Sequence, residues 1–326
     1  MKSEKKLSII IVSKDTKELL INLLGSIEND VSLRPYIKEI ILVDNASADG
    51  TGDVIRSNYP LVTYIRNDRN KGFAKAVNIG TAKSSGEFIL LLNSDILLIK
   101  GEILKMLKFM EEHQDTGICG PQLVYPDMKR QRSFAYKPSL LLEIAPRPVL
   151  EIMYPGRYAR KNQTYSAPVE VDSLIGAAIM LRRKSIELTG GFDEQFFFFL
   201  EETDLCIRVR KKGQKVIFFP GAEVIHIQGK TVRQSWVKGR IEYNISLHKF
   251  IKKYHNDLYY FIFSAVRLIK CFPALIAYSI LPFLLISEKA RTKYKYYFQL
   301  LFWHMRGRPE KGGLRANSPK QKLLRV

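Results

Sequence analysis

The amino-terminal half of the chain alternates short apolar runs with segments of helical spacing. The apolar runs predict strands buried on both faces, at residues 7–12, 39–43, 62–65 and 88–92. The segments that follow them place apolar side chains three or four positions apart and predict helices, at residues 17–27, 51–59, 73–82 and 101–112. Because strands that alternate with helices form βαβ units, the pattern predicts an α/β fold with a parallel sheet.

The carboxyl-terminal half is less regular. Strands are predicted at residues 117–121, 169–181 and 215–219, with a break at Gly176, and helices at residues 201–212 and 236–254. Residues 121–168 are rich in proline and show no clear period. This stretch is too long for an ordinary connection inside a compact domain, and we interpret it as a surface segment.

Polar side chains lie at or just after the end of each predicted amino-terminal strand. They are Ser13 and Asp15, Asp44 and Asn45, Asn67, and Asn93 with Asp95. Parallel strands end at one edge of a sheet, where open α/β sheets bind ligands, so this pattern predicts a nucleotide cleft. Asp44 would accept hydrogen bonds from a base or a ribose, and Asp95 would hold a cation that bridges two phosphates. The alternative is that these residues only form turns and helix caps.

Other nucleotide-binding fingerprints are missing. No Gly-x-Gly-x-x-Gly follows the first strand and no Walker A loop is present, which argues against a dinucleotide-dependent dehydrogenase and a P-loop enzyme. The loop that ends at Gly72 instead leads into a helix whose free amides would face phosphate. The residues after the first strand, 13–16, also lack the glycine-rich basic loop expected of a sugar-nucleotide pyrophosphorylase.

The first turn of the predicted helix 201–212 carries three carboxylates, from Glu201, Glu202 and Asp204. Acidic side chains suit the positive end of the helix dipole, so these residues are explained by capping alone. The same dipole would also keep a carboxylate ionised at neutral pH and able to act as a base.

Three segments of the amino-terminal half resemble the nucleotide-binding half of family 2 glycosyltransferases with the GT-A fold. They are residues 43–51 (VDNASADGT), 70–80 (NKGFAKAVNIG) and 92–95 (LNSD). The chain is most similar to the bacterial rhamnosyltransferase-like enzymes of polysaccharide synthesis. The resemblance implies a GT-A (Rossmann-like) mixed sheet with flanking helices, and a nucleotide-sugar site made by the strand-end residues together with Gly72 and Asn78.

The family also implies a divalent metal, Mg²⁺ or Mn²⁺, on the donor diphosphate. Many members have aspartate at both ends of the acidic motif, whereas this chain has Asn93 first, which leaves Asp95 as the main anionic ligand. His226 corresponds to a histidine that completes the metal shell in relatives. An imidazole would complement a site that has only one strong carboxylate.

Residues 190–194 (GGFDE) and 201–205 (EETDL) are similar to the acceptor-side motif of inverting family members. By that resemblance Glu202 deprotonates the acceptor hydroxyl, while Glu201 and Asp204 bind or orient the acceptor. The family more often has aspartate at the position of Glu202, which leaves Glu201 as the alternative base. In relatives, the stretch that corresponds to residues 121–168 helps to shape the acceptor site.

The last part of the chain is apolar and then strongly basic. Residues 271–287 are 17 uncharged residues with two prolines, Pro273 and Pro282, and are shorter than the roughly 20 residues of a spanning helix. Residues 288–326 hold eleven Lys and Arg against two Glu, a large part of the net charge of +20. We expect helices that lie in the interface of an anionic membrane, with a hairpin inserted into the bilayer as the alternative.

The cysteine content and the net charge restrict the cellular compartment and the binding partners that the protein could have. Cys119, Cys206 and Cys271 lie far apart, which argues for a reducing compartment and against a zinc site or a disulfide framework. The positive charge alone would suit a nucleic acid, an acidic lipid or a phosphorylated substrate. Given the resemblance, we expect membrane lipid and phosphorylated substrates and no nucleic acid.

Together these features predict a catalytic domain at residues 1–250 and a membrane-associating helical tail at residues 251–326. The predicted function is inverting transfer of a sugar, with rhamnose as a candidate, from a nucleoside-diphosphate sugar to a lipid-linked glycan at the cytoplasmic face of the cell membrane. The protein would be peripheral or monotopic. The alternatives are a sugar-nucleotide pyrophosphorylase and a non-catalytic membrane-binding protein.

Overall fold

The computed structural model describes residues 5–155, 160, 163–227, 236–285 and 288–317. Contacts divide the chain into two compact units. Unit 1 comprises Met1–Lys137, Ala159–Glu194 and Glu201–Gly229, and unit 2 comprises Pro138–Tyr158, Gln195–Leu200 and Lys230–Val326. The predicted membrane-associating tail, residues 251–326, falls within unit 2, and its residues 286–287 and 318–326 lie outside the described part.

Unit 1 contains the strands and most of the helices of the first 229 residues. Its strands are β1 (Leu7–Ser13), β2 (Ile37–Asp44), β3 (Val62–Arg66), β4 (Phe88–Asn93), β5 (Ile96–Leu98), β6 (Thr116–Val124), β7 (Phe134–Ala135), β8 (Val169–Glu170), β9 (Ser173–Leu174), β10 (Ala178–Arg182) and β11 (Lys215–His226). Its helices are α1 (Lys17–Asn29), α2 (Thr51–Asn58), α3 (Phe73–Lys83), α4 (Glu102–Glu112), α7 (Arg183–Thr189) and α8 (Glu201–Lys211).

One large mixed sheet runs through unit 1, in the order β3-β2-β1-β4-β10-β6-β11-β5, with β8 beside β11. The first four strands are parallel, and β10 runs antiparallel to both β4 and β6. Four residues of β4, Ile89–Leu92, are completely buried, each apolar side chain contributing about 1.5–3 kcal/mol on leaving water. The predicted mixed sheet with flanking helices is confirmed, and the parallel strands bring their carboxyl ends to one edge.

Several boundaries differ from the prediction. The strand expected at residues 169–181, with its break at Gly176, is three short strands, because the chain changes partners from β11 to β7 and then to β4 and β6. The strand expected at residues 215–219 continues to His226 through an irregular register between Phe219 and Glu223. The segment 121–168 is also not wholly irregular, since it contains β7 and two short helices of unit 2.

Unit 2 is helical in its described residues. It contains α5 (Leu140–Ile144), α6 (Arg147–Met153), α9 (Trp236–Tyr254), α10 (Asp257–Ile269), α11 (Cys271–Leu285) and α12 (Glu288–Met305). One cluster of its core joins α9, α11 and α12 through buried side chains, Ile241, Ile245, Cys271, Tyr296, Leu300 and Trp303. In the described part of the chain, one helical stretch, Asp257–Tyr278, is long and apolar enough to cross a membrane.

Candidate functional site

The sheet edge predicted to bind a nucleotide is formed by the ends of β1, β2, β3 and β4. Backbone bonds join neighbouring strand ends: the Asn45 amide donates to the Ser13 carbonyl at 2.9 Å, and the Asn67 amide donates to the Asp44 carbonyl at 2.8 Å. The Ser13 hydroxyl lies 2.9 Å from that of Thr16, which donates to the Ser94 hydroxyl at 2.8 Å. These predicted residues therefore lie together, as parallel strands require.

Asp44 is completely buried at this edge. Its Oδ1 accepts hydrogen bonds from the amide and the hydroxyl of Ser47, at 2.9 and 2.5 Å, and its Oδ2 accepts one from the Tyr64 hydroxyl at 2.6 Å. Burial, together with the adjacent Asp44 carboxylate, raises the pKa of Tyr64 to about 12, so the phenol stays a donor. In this conformation Asp44 would reach a ligand only through Ser47 or Tyr64.

The loops after β1 and β2 are tied to each other. The Asp15 amide donates to the Ser47 hydroxyl at 2.8 Å, and the Asp15 carboxylate accepts from the Ala48 amide at 2.7 Å. Asp15 and Ala46 both have left-handed backbone conformations, with φ of 52° and 63°. This conformation is energetically unfavourable for non-glycine residues and is often found at ligand sites, where the surrounding structure imposes it. The hydrogen bonds between the two loops therefore hold them in one conformation.

The start of α3 is fixed by asparagine side chains. Asn45 donates from its amide to the Gly72 carbonyl at 3.2 Å and accepts from the Asn67 side chain at 2.8 Å. Gly72 has φ of 86°, which glycine adopts without a steric cost, and α3 begins at the next residue. The amides of this helix start are oriented by the strand-end residues and are suited to an anion.

Asn78, predicted to bind the nucleotide sugar, has protein partners at both ends of its side chain. Its amide nitrogen donates to the Phe192 carbonyl at 2.8 Å and to Glu194 at 3.2 Å, and its oxygen accepts from the Phe192 amide at 2.9 Å. Lys75 adds an ion pair to Glu194 at 2.8 Å. In this structure α3 holds the Gly190–Glu194 turn through Asn78, so Asn78 has a positioning role.

Asp95 and His226 come together because β5 pairs with the end of β11. His226 lies opposite Ile96 in this antiparallel pair, and its Nε2 is 3.5 Å from Oδ2 of Asp95. Both side chains are largely shielded, with exposed fractions of 12% for His226 and 19% for Asp95. The imidazole and the carboxylate thus face each other at a separation longer than an ordinary hydrogen bond.

Gln131, which the sequence did not single out, sets the orientation of His226. Its side-chain nitrogen donates to the carbonyls of Val124 and His226, so its oxygen is the end that lies 2.9 Å from Nδ1 of His226. Nδ1 must then carry the proton, and in a neutral ring the lone pair lies on Nε2, toward Asp95. This is how metal-binding histidines are usually held in place.

The pair formed by Asp95 and His226 fits a hard divalent cation that has further ligands from a substrate. Two adjacent ligands of an octahedral Mg²⁺ or Mn²⁺ lie about 3 Å apart, close to the observed separation. Across the described residues, no group of three or more His, Cys, Asp or Glu side chains is placed to hold a metal. Mg²⁺ is commonly bound by one or two carboxylates with phosphate oxygens and water, so two protein ligands suffice.

Glu202 lies in the first turn of α8, half-buried against the turn at Gly176. A Cβ added to Gly176 would lie 3.5 Å from Cβ and Cγ of Glu202, so the glycine lets the backbone pack on this side chain. Burial raises the pKa of Glu202 to about 7, although its own backbone amide favours the charged form. Desolvation therefore outweighs the dipole, so Glu202 is partly ionised at neutral pH, less than the helix start alone would predict.

Glu201 and Asp204 are buried. Asp204 is completely shielded and accepts a charge-assisted hydrogen bond from Nε of Arg208 at 2.7 Å, while Nη1 of Arg208 donates to the Thr189 carbonyl at 2.7 Å. Asp204 therefore anchors α8 to the end of α7 and does not reach solvent. Of the three acidic residues, Glu202 is the most open to a ligand.

Replacing Asp204 with alanine should destabilise unit 1 by about 3 kcal/mol, because Arg208 would keep a largely buried charge without its partner. Urea unfolding of the two proteins measures this difference. The matched control is Asp53→Ala, which breaks the exposed Asp53–Arg56 pair and should change the free energy of unfolding by less than about 0.5 kcal/mol. Equal effects of the two substitutions would contradict the anchoring role.

The backbone directly before α8 is a further feature that sequence patterns did not indicate. Phe199 and Leu200, two consecutive non-glycine residues, have φ of 71° and 67°. Such strain persists only where the surroundings impose it, and it is concentrated at functional sites. It precedes Glu201 and Glu202 immediately, and nothing in the run of phenylalanines signals it.

The sequence comparisons agree with this geometry. The family model described as "Glycosyl transferase family 2" matches residues 8–189, which include the sheet edge and the Asp95 loop but end before α8. An N-acetylglucosaminyl-diphospho-decaprenol L-rhamnosyltransferase of Mycobacterium tuberculosis is 29% identical over 202 residues, 57% of this chain and 66% of that protein. The dTDP-rhamnosyl transferase RfbF of Shigella flexneri is 24% identical over 222 residues, 67% of each chain.

A solved structure shares the fold. It is a mannosyltransferase from Pyrobaculum calidifontis in complex with GDP-Man and Mn²⁺, with a TM-score of 0.55 and 15% identity, covering 93% of this chain and 86% of that one. This similarity confirms the predicted GT-A fold. The family match covers more than half of the chain and favours a glycosyltransferase over a pyrophosphorylase. The chain belongs to glycosyl transferase family 2.

Proposed function

We propose that this protein transfers a sugar from a nucleoside-diphosphate sugar to a lipid-linked glycan, with inversion at the anomeric carbon. The main observation in support of the proposal is that a single backbone turn, at Gly176 and Ala177, lies between the donor-side motif at Asn93 and Glu202. The Ala177 carbonyl accepts from the Asn93 amide at 2.9 Å, and the neighbouring Gly176 packs on Glu202. A reacting sugar carbon would then have the diphosphate on one side and a base on the other.

The donor would lie along the edge formed by β1–β4. Asp15 and Asn93 supply polar groups at the strand ends, and the buried Ser13, Asp44, Asn45 and Asn67 support them. The amides at the start of α3 suit the diphosphate, and the Gly72 amide, which donates to the Asn70 side chain at 3.0 Å, helps to fix the loop before them. The base and the ribose would contact the loops that Ser47 and Asp15 hold together.

A divalent cation at Asp95 and His226 would neutralise charge on the departing diphosphate. The oriented Nε2 of His226 and the facing Asp95 carboxylate support this assignment, and the solved mannosyltransferase of the same fold is in complex with GDP-Man and Mn²⁺. The choice between Mg²⁺ and Mn²⁺ depends on the ligands that the substrate supplies.

Glu202 would remove the proton of the acceptor hydroxyl as that oxygen attacks the anomeric carbon. A base with a pKa of about 7 suits this step, because it is substantially ionised at neutral pH yet still basic enough to take the proton. Glu201 and Asp204 would position α8, and Asp204 does so through Arg208.

The proposed acceptor is based on the names of the relatives, and the proposed location on residues 251–326. The names of the two rhamnosyltransferases specify a polyprenyl diphosphate-linked acceptor in one case and a dTDP-activated rhamnose donor in the other. We propose a similar lipid-linked acceptor for this chain, with rhamnose as the first sugar to test. The protein would act at the cytoplasmic face of the membrane, attached through residues 251–326 as a peripheral or monotopic protein.

Donor identity is the first property to measure. In a screen of nucleotide sugars, the true donor should raise the melting temperature when Mn²⁺ or Mg²⁺ is present and much less in excess chelator, since ligand binding stabilises the folded state. Transfer to a short-chain lipid diphosphate glycan should then follow the same donor preference. Stabilisation by no nucleotide sugar at all would contradict the proposed function.

Gln131→Ala should lower the affinity for Mn²⁺ about 10–100-fold, because His226 would lose the partner that fixes its ring. Calorimetric titration of Mn²⁺ in the presence of the nucleoside diphosphate measures this change directly. Gln163→Ala, which removes an exposed amide in the same unit, is the control and should leave the affinity unchanged. An unaltered affinity in Gln131→Ala would show that Gln131 does not orient a metal ligand.

A further inference from the structure

Most of the exposed large hydrophobic side chains in the described residues belong to unit 2. Along α10 and α11 they are three, four or seven positions apart, the spacing of one helix face, and form one stripe made of Leu258, Ile262, Ile269, Phe272 and Ile276. Phe261 beside this stripe is 71% exposed. Helices of a soluble domain usually turn such a stripe inward.

The opposite side of α10 faces the interior of unit 2, where polar groups lie beside the completely buried Phe263. Arg267 pairs with both carboxylate oxygens of Glu143 at 3.1 Å and also donates to the Asn244 side chain. Ser264 accepts from Arg308 at 2.7 Å. An arrangement with polar groups inside and apolar groups outside is unfavourable in water and favourable against lipid.

The helices α5 and α6 repeat this arrangement at the segment that the resemblance assigned to the acceptor site. In α6 and the residues after it, Leu150 is buried, whereas Val149, Ile152, Met153 and Tyr154 are 44–66% exposed. In α5 the exposed positions are Leu141 and Ile144. These two short helices therefore also present apolar side chains outward.

Direct bonds attach α5 to α10. The Leu140 amide donates to the Tyr259 hydroxyl at 2.6 Å, and Lys270 donates to the Glu143 carbonyl at 2.6 Å, in addition to the Arg267–Glu143 pair. The outward apolar side chains of α5–α6 and of α10–α11 thus belong to two segments that are fastened together. We call them the docking surface: Leu141, Ile144, Val149, Ile152, Met153, Tyr154, Leu258, Phe261, Ile262, Ile269, Phe272 and Ile276.

The positive charge of unit 2 indicates which partner binds the docking surface. Exposed cations accompany it within unit 2, on Lys270 and on α12 at Lys293, Lys295 and Arg306, and residues 288–326 carry a net charge of +9. A second copy of this chain would bring the same positive charge against it and be repelled. An anionic lipid bilayer satisfies both the apolar side chains and the cations.

We propose that α5–α6 is a second membrane contact, and that together with α10–α11 it binds one face of unit 2 to an anionic bilayer. The purpose of this attachment, keeping the enzyme at a lipid-linked acceptor, rests on the proposed function. The evidence for the membrane contact does not rest on that function, because this evidence consists of exposed side chains, charge and contacts within unit 2.

Site-specific labels in the full-length chain test this proposal. Truncation is unsuitable, because Leu300 and Trp303 of α12 pack on Ile241 and Ile245 of α9. All three native cysteines are buried, so an environment-sensitive nitrobenzoxadiazole label reports an engineered cysteine. The labelled variants are Ile152→Cys on α6, Phe261→Cys on α10 and, as the control, Leu61→Cys in unit 1, which is 90% exposed.

Vesicles of phosphatidylglycerol and phosphatidylcholine should shift the emission of the labels at 152 and 261 to the blue and leave the label at 61 unchanged. Vesicles of phosphatidylcholine alone should give a much smaller shift. The paired change Ile152→Asp and Met153→Asp should weaken binding to the anionic vesicles about tenfold, whereas Leu61→Asp should not.

A label at 152 that stays in water while the label at 261 enters lipid would overturn the role of α5–α6. A blue shift at 152 without vesicles that grows with protein concentration would instead identify a second copy as the occupant. Neither donor nor acceptor is present in these measurements, so a failure of the docking surface is distinguishable from a failure of the proposed transfer reaction.

Discussion

Glu202→Gln should lower the rate of sugar transfer by about 10²–10⁴-fold, the usual contribution of a positioned base. Glutamine keeps the shape of the side chain and its hydrogen bonding but cannot take a proton from the acceptor hydroxyl. Donor binding should survive, because Glu202 lies on α8 and not at the edge formed by β1–β4. Single-turnover transfer and donor titration of the same preparation separate the two properties.

The pH dependence gives an independent test of the same role. Because burial raises the pKa of Glu202 to about 7, the base is protonated below that value, and kcat/KM should fall as the pH decreases through about 7. The dependence should disappear from the residual activity of Glu202→Gln. Glu201→Gln, the control, should keep the dependence and act mainly on acceptor affinity. Near-normal turnover of Glu202→Gln with an inactive Glu201→Gln would show that the base is Glu201 and not Glu202.

Asp95→Ala should abolish both transfer and metal-dependent binding of the donor. It removes the anionic member of the pair that faces the diphosphate, and His226 alone is a weak site for Mg²⁺ or Mn²⁺. Calorimetry of the donor with and without Mn²⁺ should show a metal-dependent gain in affinity for the native protein and none for the variant.

The fold should be intact in this variant, since Asp95 lies in a loop and is partly accessible. Circular dichroism and the urea midpoint check that condition. Asp53→Ala removes an exposed carboxylate of α2 and should keep full metal-dependent binding. Full activity of the native protein in excess chelator would contradict the metal assignment, whatever the variants do.

The amino-terminal sheet edge was predictable because its signals are local. An uninterrupted apolar run that ends in Asn93 and Asp95 specifies a buried strand and its polar end, and the neighbouring strands follow the same rule. Parallel pairing then places Ser13, Asp44, Asn67 and Asn93 at one edge without further information. The partners of individual side chains could not be predicted in this way: Asp44, for example, is enclosed by Ser47 and Tyr64.

Contacts between distant segments could not be derived from local patterns. The approach of His226 to Asp95 depends on an irregular register in β11 and on its pairing with the three-residue β5. Gln131 lies in a segment without any period, so nothing marked it as the partner of His226. Asn78 was assigned from a motif, whereas its contacts with Phe192 and Glu194 need the fold to be known.

The ionisation of Glu202 shows the limit of a charge argument based on sequence. A helix start favours a carboxylate by less than about 2 kcal/mol even when partly buried. Burial costs more, and the amount depends on the packing of Gly176 on the Glu202 side chain, which only the structure shows. The same packing gives Glu202 a pKa suited to general-base catalysis.

The configuration of the product determines whether this protein transfers the sugar with inversion. The true donor and a short-chain lipid-linked acceptor would be incubated with the native protein, and the anomeric configuration of the new glycosidic bond determined by NMR from its coupling constants. We expect the configuration opposite to that of the donor, because Glu202 directs a single displacement. Retention of the donor configuration would contradict it.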